Sequence, residues 1–355
     1  MNVMSGPSTP ETRIQHDDIP EQALAWRRAG KGAALATVVQ TWGSAPRQAG
    51  AQLAVSSDGE LTGSVSGGCV EGAVTAEALE AIEDGKPRIL EFGVSDDDAF
   101  AVGLACGGTI RIMVEPVDVG DGVSSEFLAE LTTHRAERRA VVAAVDTKTW
   151  ARELIDASEP AERERARDGV SAIVTGKSRF SQSDPGWFLA VHAPPLRMAV
   201  IGAVHISQAL ATMARLSGYD VTLIDPRLAF ASEARFPGET LSHQWPDAAL
   251  EQLGLDPHTA VVCLTHDAKL DDPALIRALR SDAFYVGALG SPRTHAKRVE
   301  RLKAEGLTDA EIGRLHAPIG LDIGAKSPAE IAVSILAQIT ERLRRPETRS
   351  GMATR

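Results

Sequence analysis

The chain has 355 residues, 43% hydrophobic and 24% charged, enough for two ordinary globular domains each with its own core. Its net charge of −11 argues against a broad phosphate-binding surface for DNA or RNA, while leaving room for one local basic pocket. No apolar run reaches the roughly eighteen residues of a membrane span, and the polar start of the chain lacks a signal-peptide core, so the expectation is a cytoplasmic protein with a disordered tail over 1–17.

A helix is predicted from Pro20 to Ala29, followed by a strand from Ala34 to Thr41. The loop Trp42-Gly43-Ser44-Ala45-Pro46-Arg47 comes next. Asp58-Gly59 between Gln52–Ser57 and Glu60–Val65 signals a two-residue hairpin. Helical spacing of Val70, Val74, Ala78 and Ala81 predicts a helix over Cys69–Glu83, and Arg88–Phe92 and Thr109–Val114 read as strands. After a Gly/Asp/Ser-rich connector at 117–125 the pattern weakens. Arg139–Val145, Ser171–Val174 and Trp187–Val191 read as strands there, and the charged run Glu162–Arg167 as an exposed helix or loop. These elements are assigned to a mixed α/β first domain spanning 18–193.

Beyond Pro194-Pro195 the pattern becomes regular and predicts a second domain over 196–345, with a tail at 346–355. Short buried strands at Met198–Gly202, Asp220–Asp225, Ala260–Leu264 and Ala283–Val286 alternate with helical segments, which means βαβ units and a Rossmann-type, doubly wound parallel sheet. Helix starts are signalled at Asp272-Pro273, Ser291-Pro292 and Ser327-Pro328, the last with Glu330 completing a capping box.

A dinucleotide site needs a glycine turn after the first Rossmann strand and an acid about twenty positions later. Gly202-Ala203-Val204-His205 and Asp225 fall at those places, but Val204 stands where a glycine normally lets backbone approach the pyrophosphate. Three polar loops follow strands, where open parallel sheets bind ligands: Thr265-His266-Asp267, Gly287 to Ser291, and Gly320-Leu321-Asp322. The second runs into Pro292-Arg293 and reads as an anion seat at a helix N-terminus. His205 and His266, each taken alone, are more often structural histidines than acids or bases. No cluster has metal-ligand spacing, so no protein-held metal is expected.

The first domain carries the less common feature. Ser66-Gly67-Gly68-Cys69 and Cys106-Gly107-Gly108 each set a cysteine beside paired glycines, which expose backbone amides and admit a bulky ligand. Both thiols could be small buried residues, but glycine-rich loops seldom build a core; a helix start favours a thiolate at Cys69, and the nearby Glu71 works against it. Cys263, in an apolar strand, fits burial. Trp42 and Arg47 offer a flat aromatic face and a guanidinium to a planar phosphorylated ligand.

Together these blocks resemble the XdhC/CoxI family of xanthine dehydrogenase accessory proteins. The resemblance runs through Thr41–Arg47, Gly63–Gly72, Phe92-Gly93-Val94 and Gly103–Gly108, then Val221–Arg227, Leu264–Asp267, Tyr285–Ser291 and Gly320–Ala325. It implies a chaperone that binds molybdenum cofactor, as molybdopterin or its cytosine dinucleotide. Such a protein supports sulfuration of the cofactor by a cysteine desulfurase and delivers it to a molybdenum hydroxylase such as xanthine dehydrogenase or carbon monoxide dehydrogenase. Under that resemblance Gly67, Gly68, Cys69 and Cys106, with Arg47, Ser66 and Gly107 beside them, line the molybdenum end. Gly202, His205, Asp225, Thr265, His266, Asp267, Gly287, Gly290, Ser291, Arg293 and Asp322 hold the pterin or nucleotide end. A homodimer is a further expectation. Two other readings stay open: an NAD(P)- or FAD-dependent oxidoreductase with a Cys69/Cys106 redox pair, and an interaction scaffold with a silent Rossmann site.

Overall fold

A computed structural model describes residues 18–43, 47–93, 108–157 and 163–345 of the chain. Ser44 to Pro46, Val94 to Gly107 with Cys106 in it, and both tails lie outside the described residues. The chain divides into two compact units that meet in sequence at Pro194 and Pro195.

The first unit contains α1 (Ile19–Arg28), β1 (Ala33–Trp42), β2 (Gln52–Ser56), β3 (Leu61–Gly63), α2 (Glu71–Asp84), β4 (Arg88–Phe92) and β5 (Thr109–Pro116). It continues with α3 (Ser125–Ala136), β6 (Val141–Asp146), β7 (Arg152–Asp156), α4 (Glu164–Thr175), β8 (Arg179–Phe180) and β9 (Trp187–His192). An antiparallel sheet of order β3-β2-β1-β5-β4 lies at its centre. Strand alternation decides which helix covers which face. Ala34, Ala36 and Val38 of β1 pack with Val74, Ala78 and Ala81 of α2, while Ala33 and Leu35 pack with Ala23 and Leu24 of α1 and Leu128 of α3. Val39, at the register shift between Val38 and Gln40, joins a third cluster with Val141, Ala143 and Val145 of β6. There the second sheet, β7-β6-β9-β8, packs on the first, and its other face is closed by Ala166 and Ala172 of α4.

One sequence expectation fails in this unit. Ser171–Val174 is not a strand but the last part of α4, and Val174 is 80% exposed. The buried face of α4 is Ala166, Gly169 and Ala172, residues too small to give an apolar signal; a Cβ at Gly169 would stand 2.8 Å from Ile155. The connector ends in α3, which Ser124 caps by accepting a hydrogen bond from Phe127. Its inward face mixes Leu128 and Leu131 with a buried arginine, Arg135, that holds Glu21 of α1.

The second unit contains β10 (Leu196–Ile201), α5 (His205–Leu216), β11 (Tyr219–Ile224), β12 (Thr240–Ser242), α6 (Pro246–Leu253), β13 (Thr259–Cys263) and α7 (Ala268–Leu279). After these come β14 (Tyr285–Ala288), α8 (Pro292–Ala304), α9 (Asp309–Ile312), β15 (Leu315–His316) and α10 (Pro328–Arg344). The sheet is parallel throughout, in the order β12-β11-β10-β13-β14-β15. The chain winds outward from β10 to β12 and then returns to lay β13 on the other side of β10, which is Rossmann topology with its switch point between β10 and β13. Met198 and Val200 face the cluster under α5 and α10, and Ala199 and Ile201 face the cluster under α6 and α7. Burial on both faces explains why the strand reads as an unbroken apolar run. Helix α7 starts a turn earlier than Asp272-Pro273 suggests, because Asp267 caps it through Lys269 and Pro273 is carried inside the helix. Among the described residues no helix is long and apolar enough to cross a membrane.

Candidate functional site

In the first unit the loop between β3 and α2 is organised by one acid. Glu71 accepts hydrogen bonds from Ser64 Oγ at 2.6 Å and from the amides of Ser66, Gly67 and Gly68 at 2.9, 3.0 and 2.8 Å, and it also takes the Ser66 hydroxyl. Burial alone would raise its pKa, but these donors bring it down to about 2. Ser66 Oγ in turn accepts from the amides of Cys69 and Val70, both at 3.0 Å. Gly67 and Gly68 have φ of 79° and 111°, backbone that favours glycine.

The consequence differs from the sequence expectation. The diglycine amides do not face a ligand; Glu71 takes them. What the loop presents is Cys69, which is exposed, with open space before Gly68 and Gly72 where a Cβ would meet nothing within 4 Å. Helix α2 begins at Glu71, two residues after the predicted start, so Cys69 sits on the turn leading into it. Arg47 braces the same loop through Ser64 O at 3.1 Å, and Trp42 is 45% exposed. Cys106 and Gly107, expected beside this loop, lie outside the described residues. Glu71 is the residue that sequence reasoning undervalued. The signal available was an acid in the first turn of a helix directly after Gly-Gly.

In the second unit the switch point brings the Gly202 turn against the loop after β13. Gly202 has φ of 101°, and a Cβ there would lie 2.5 Å from Thr265 Cγ2. Val204 adopts φ −95° and ψ −177°, extended backbone open to any residue, and its side chain packs on the core below α5. Ser207, where the third glycine usually stands, ties the turn together: its hydroxyl donates to Gly202 O at 2.5 Å and accepts from Val204 N at 3.1 Å.

Asp225 is wholly buried and already engaged. It accepts from Ala203 N at 3.0 Å, from Arg227 N at 3.0 Å, and from Arg227 Nε and Nη2 at 2.8 and 2.7 Å. Burial works against its ionisation, but the Arg227 and Ala203 donors hold it below the usual carboxylate range. Arg227 stacks on Phe230 at 4.0 Å, and Arg235 ties the same segment to Ala203 O at 2.8 Å. Neither arginine carried a sequence signal beyond its place after Asp225.

The remaining predicted residues divide. His205 and Asp322 are exposed, as is His266, which holds φ of 60°. Thr265 Oγ1 donates to the buried Asp271 at 2.6 Å, and Asp267 is spent on capping α7. Gly287 lies inside β14, where a side chain would run into Ile319 at 2.6 Å and Tyr285 Oη at 2.7 Å; it is a packing glycine rather than part of a ligand loop. Gly290 leads into Ser291, which caps α8 through Thr294, and Arg293 is exposed on the first turn of that helix.

Two family models match separate stretches of the chain. Residues 26–93 match the model described as XdhC and CoxI family, and residues 198–339 match the XdhC Rossmann domain. The chain is 30% identical over 328 residues to the molybdenum cofactor insertion chaperone PaoD of Escherichia coli (strain K12), covering 91% of this chain and 87% of that protein. It is 27% identical to a probable xanthine dehydrogenase subunit from Bacillus subtilis (strain 168), covering 88% and 94% respectively. The uncharacterized protein YqeB of E. coli is 28% identical, and the chain spans 43% of its length. A crystal structure from Bacillus halodurans, described as a xanthine dehydrogenase, superposes with a TM-score of 0.72 over 95% of this chain and 98% of that one; at 24% identity it supports the fold. The chain belongs to the XdhC/CoxI family.

Proposed function

We propose that this chain is a molybdenum cofactor chaperone. It binds the cofactor as cargo, shelters it, supports its sulfuration by a cysteine desulfurase, and hands it to a molybdenum hydroxylase of the xanthine dehydrogenase or carbon monoxide dehydrogenase type. The observation that carries this reading is the Cys69 loop. An exposed thiol is held on a turn whose other polar groups are consumed internally by Glu71, so the soft donor is what the loop offers outward. The open space before Gly68 and Gly72 lets a bulky group come close to backbone. Similarity along most of the chain to a protein named for insertion of this cofactor supports the choice of cargo.

The cargo supplies the molybdenum chemistry that its client enzyme uses; the chain's own residues bind and shield. In this proposal Cys69 and the backbone around it take the molybdenum end. In the second unit the exposed His205, His266 and Asp322 stand at the carboxyl edge of the parallel sheet, where open parallel sheets bind ligands.

Anaerobic titration of the intact protein with molybdenum cofactor tests the reading, with NAD+, NADP+ and FAD run in parallel. Micromolar or tighter binding of the cofactor is expected, weakened about tenfold in Cys69→Ala without a shift in the melting curve. Binding of NAD(P) or FAD in place of the cofactor would sink the proposal and favour an oxidoreductase.

A further inference from the structure

Between the first turn of α7 and one flank of α8 lies a polar cavity of 230 Å³, whose lining includes His266, Asp271, Arg293, Lys297, Arg298 and Arg301. That is smaller than the roughly 300–1,000 Å³ of sites that enclose whole organic ligands, and it suits an ionic head group. His266 and Ala268 bring the start of α7, just after β13, to the cavity, and Arg293 to Arg301 line it along one flank of α8.

Arg298 is the informative residue. It is 2% exposed, and its Nη2 donates to Leu289 O at 2.9 Å, but Nε and Nη1 have no acceptor among the described residues. The carboxylate that should neutralise it does so poorly. Asp271 Oδ2 stands 3.7 Å from Nη2 and has no donor of its own, because Thr265 holds the other oxygen at 2.6 Å. Burial pushes the Asp271 carboxyl above its usual range, against the pull of Thr265 and Arg298. A buried cation with unsatisfied donors is costly unless something completes it.

The rim of the cavity adds charge of the same sign. Arg293 and Lys297 follow one another by one turn on α8, and neither has an ion-pair partner among the described residues. Arg301 is already held by Asp272, at 2.5 and 3.0 Å. In a chain of net charge −11, three poorly compensated cations converge on one cleft.

We propose that this cleft is an oxyanion site that takes a phosphate monoester, with Arg298 as its buried donor and Arg293 and Lys297 as its rim. A phosphoryl group presents several acceptor oxygens and close to two negative charges, which the fork of Arg298 and two flexible rim cations match. The proposal goes beyond the cofactor reading: it shares His266 and Arg293 with the residues considered there, but its test needs neither Cys69 nor the molybdenum cofactor, so the two fail separately.

Calorimetric titration of the intact chain with inorganic phosphate and with cytidine 5′-monophosphate tests it. Saturable one-to-one binding is expected for the wild type, lost by about tenfold or more in Arg298→Met. Because Arg298 is buried, the exposed double variant R293Q/K297Q is measured beside it, with several-fold weaker binding at an unchanged melting temperature expected. Tighter binding of the nucleotide identifies a phosphate carried on a nucleotide as the ligand, and equal binding identifies the phosphate group alone; both support the site. No saturation of the wild type at about 10 mM of either probe overturns it. So does binding that neither variant weakens.

Discussion

Glu71 Oε2 accepts the amide hydrogen of Gly68 at 2.8 Å, closing the Ser64–Val70 loop on the first turn of α2 so that Cys69 is left outside. A carboxylate in this role makes the loop sensitive to acid. Burial opposes ionisation, yet the converging donors lower the pKa from 4.5 to about 2. A folded-state value below the unfolded one adds stability that is complete above the unfolded pKa and disappears as pH falls through the folded one. Glu71→Gln removes the charge from those hydrogen bonds. The expected outcome is a loss of about 1–2 kcal/mol near neutral pH and a flatter dependence of stability on pH between about 4.5 and 2. Urea unfolding over a pH series measures both. An unaltered slope would mean that the carboxylate does not hold the loop.

Gly202 serves the turn after β10 for two separable reasons, and substitution can tell them apart. Its φ of 101° strains any L-residue, and a Cβ would sit 2.5 Å from Thr265 Cγ2. Gly202→Ala is expected to destabilise the protein by about 2–4 kcal/mol in thermal or urea unfolding. Adding Thr265→Ser deletes the clashing methyl and should restore part of that loss, leaving about 1 kcal/mol from the backbone alone. Complete rescue would show that φ contributes nothing.

Thiol chemistry provides a third check. Cys69 is exposed, whereas Cys263 is wholly buried in β13 and burial pushes its thiol well above the ordinary range. Native-state alkylation by iodoacetamide, read by peptide mass mapping, is expected to label Cys69 quickly and Cys263 only after unfolding. Labelling of Cys263 in the native protein would mean that β13 opens to solvent far more readily than its packing implies.

How much of this was legible in the residues varies with how local the cause is. The Rossmann half announced itself, since Met198–Ile201 is buried on both faces and ends at Gly202, and since Ser327 and Glu330 form the reciprocal cap of α10 that their spacing implies. Helix α4 misled because its buried residues are alanine and glycine while its β-branched Val174 points to solvent. The candidate site was half legible. Cysteine beside diglycine stands out in any reading, but which amides are free depends on a loop conformation that returns them to Glu71. Arg298 was hidden among the other basic residues of α8. Its distinction is that it lies one turn before Leu302 on the inward face, and only the packing of α8 reveals that it is buried.

The Asp225–Arg227 pair leads to the last prediction, which bears on whether the glycine turn can receive a dinucleotide. A ribose diol needs free acceptor capacity on the acid that ends the second Rossmann strand. Here Asp225 spends one oxygen on the Arg227 amide and Nε and the other on the Ala203 amide and Nη2, so the guanidinium occupies the positions a ribose would use. Arg227→Met empties those positions and gives up the guanidinium's stacking on Phe230, while keeping an unbranched apolar stem. It also removes donors that lower the Asp225 pKa, so the stability this carboxylate adds, present above its unfolded pKa, is lost at a higher pH than in the wild type. Titration with NAD+ is expected to show about tenfold tighter binding to the variant, the worth of two regained hydrogen bonds. The opposite result, weaker binding in Arg227→Met, would mean that Arg227 swings away from Asp225 to hold an anionic ligand itself, and the turn would then be a binding site gated by that arginine.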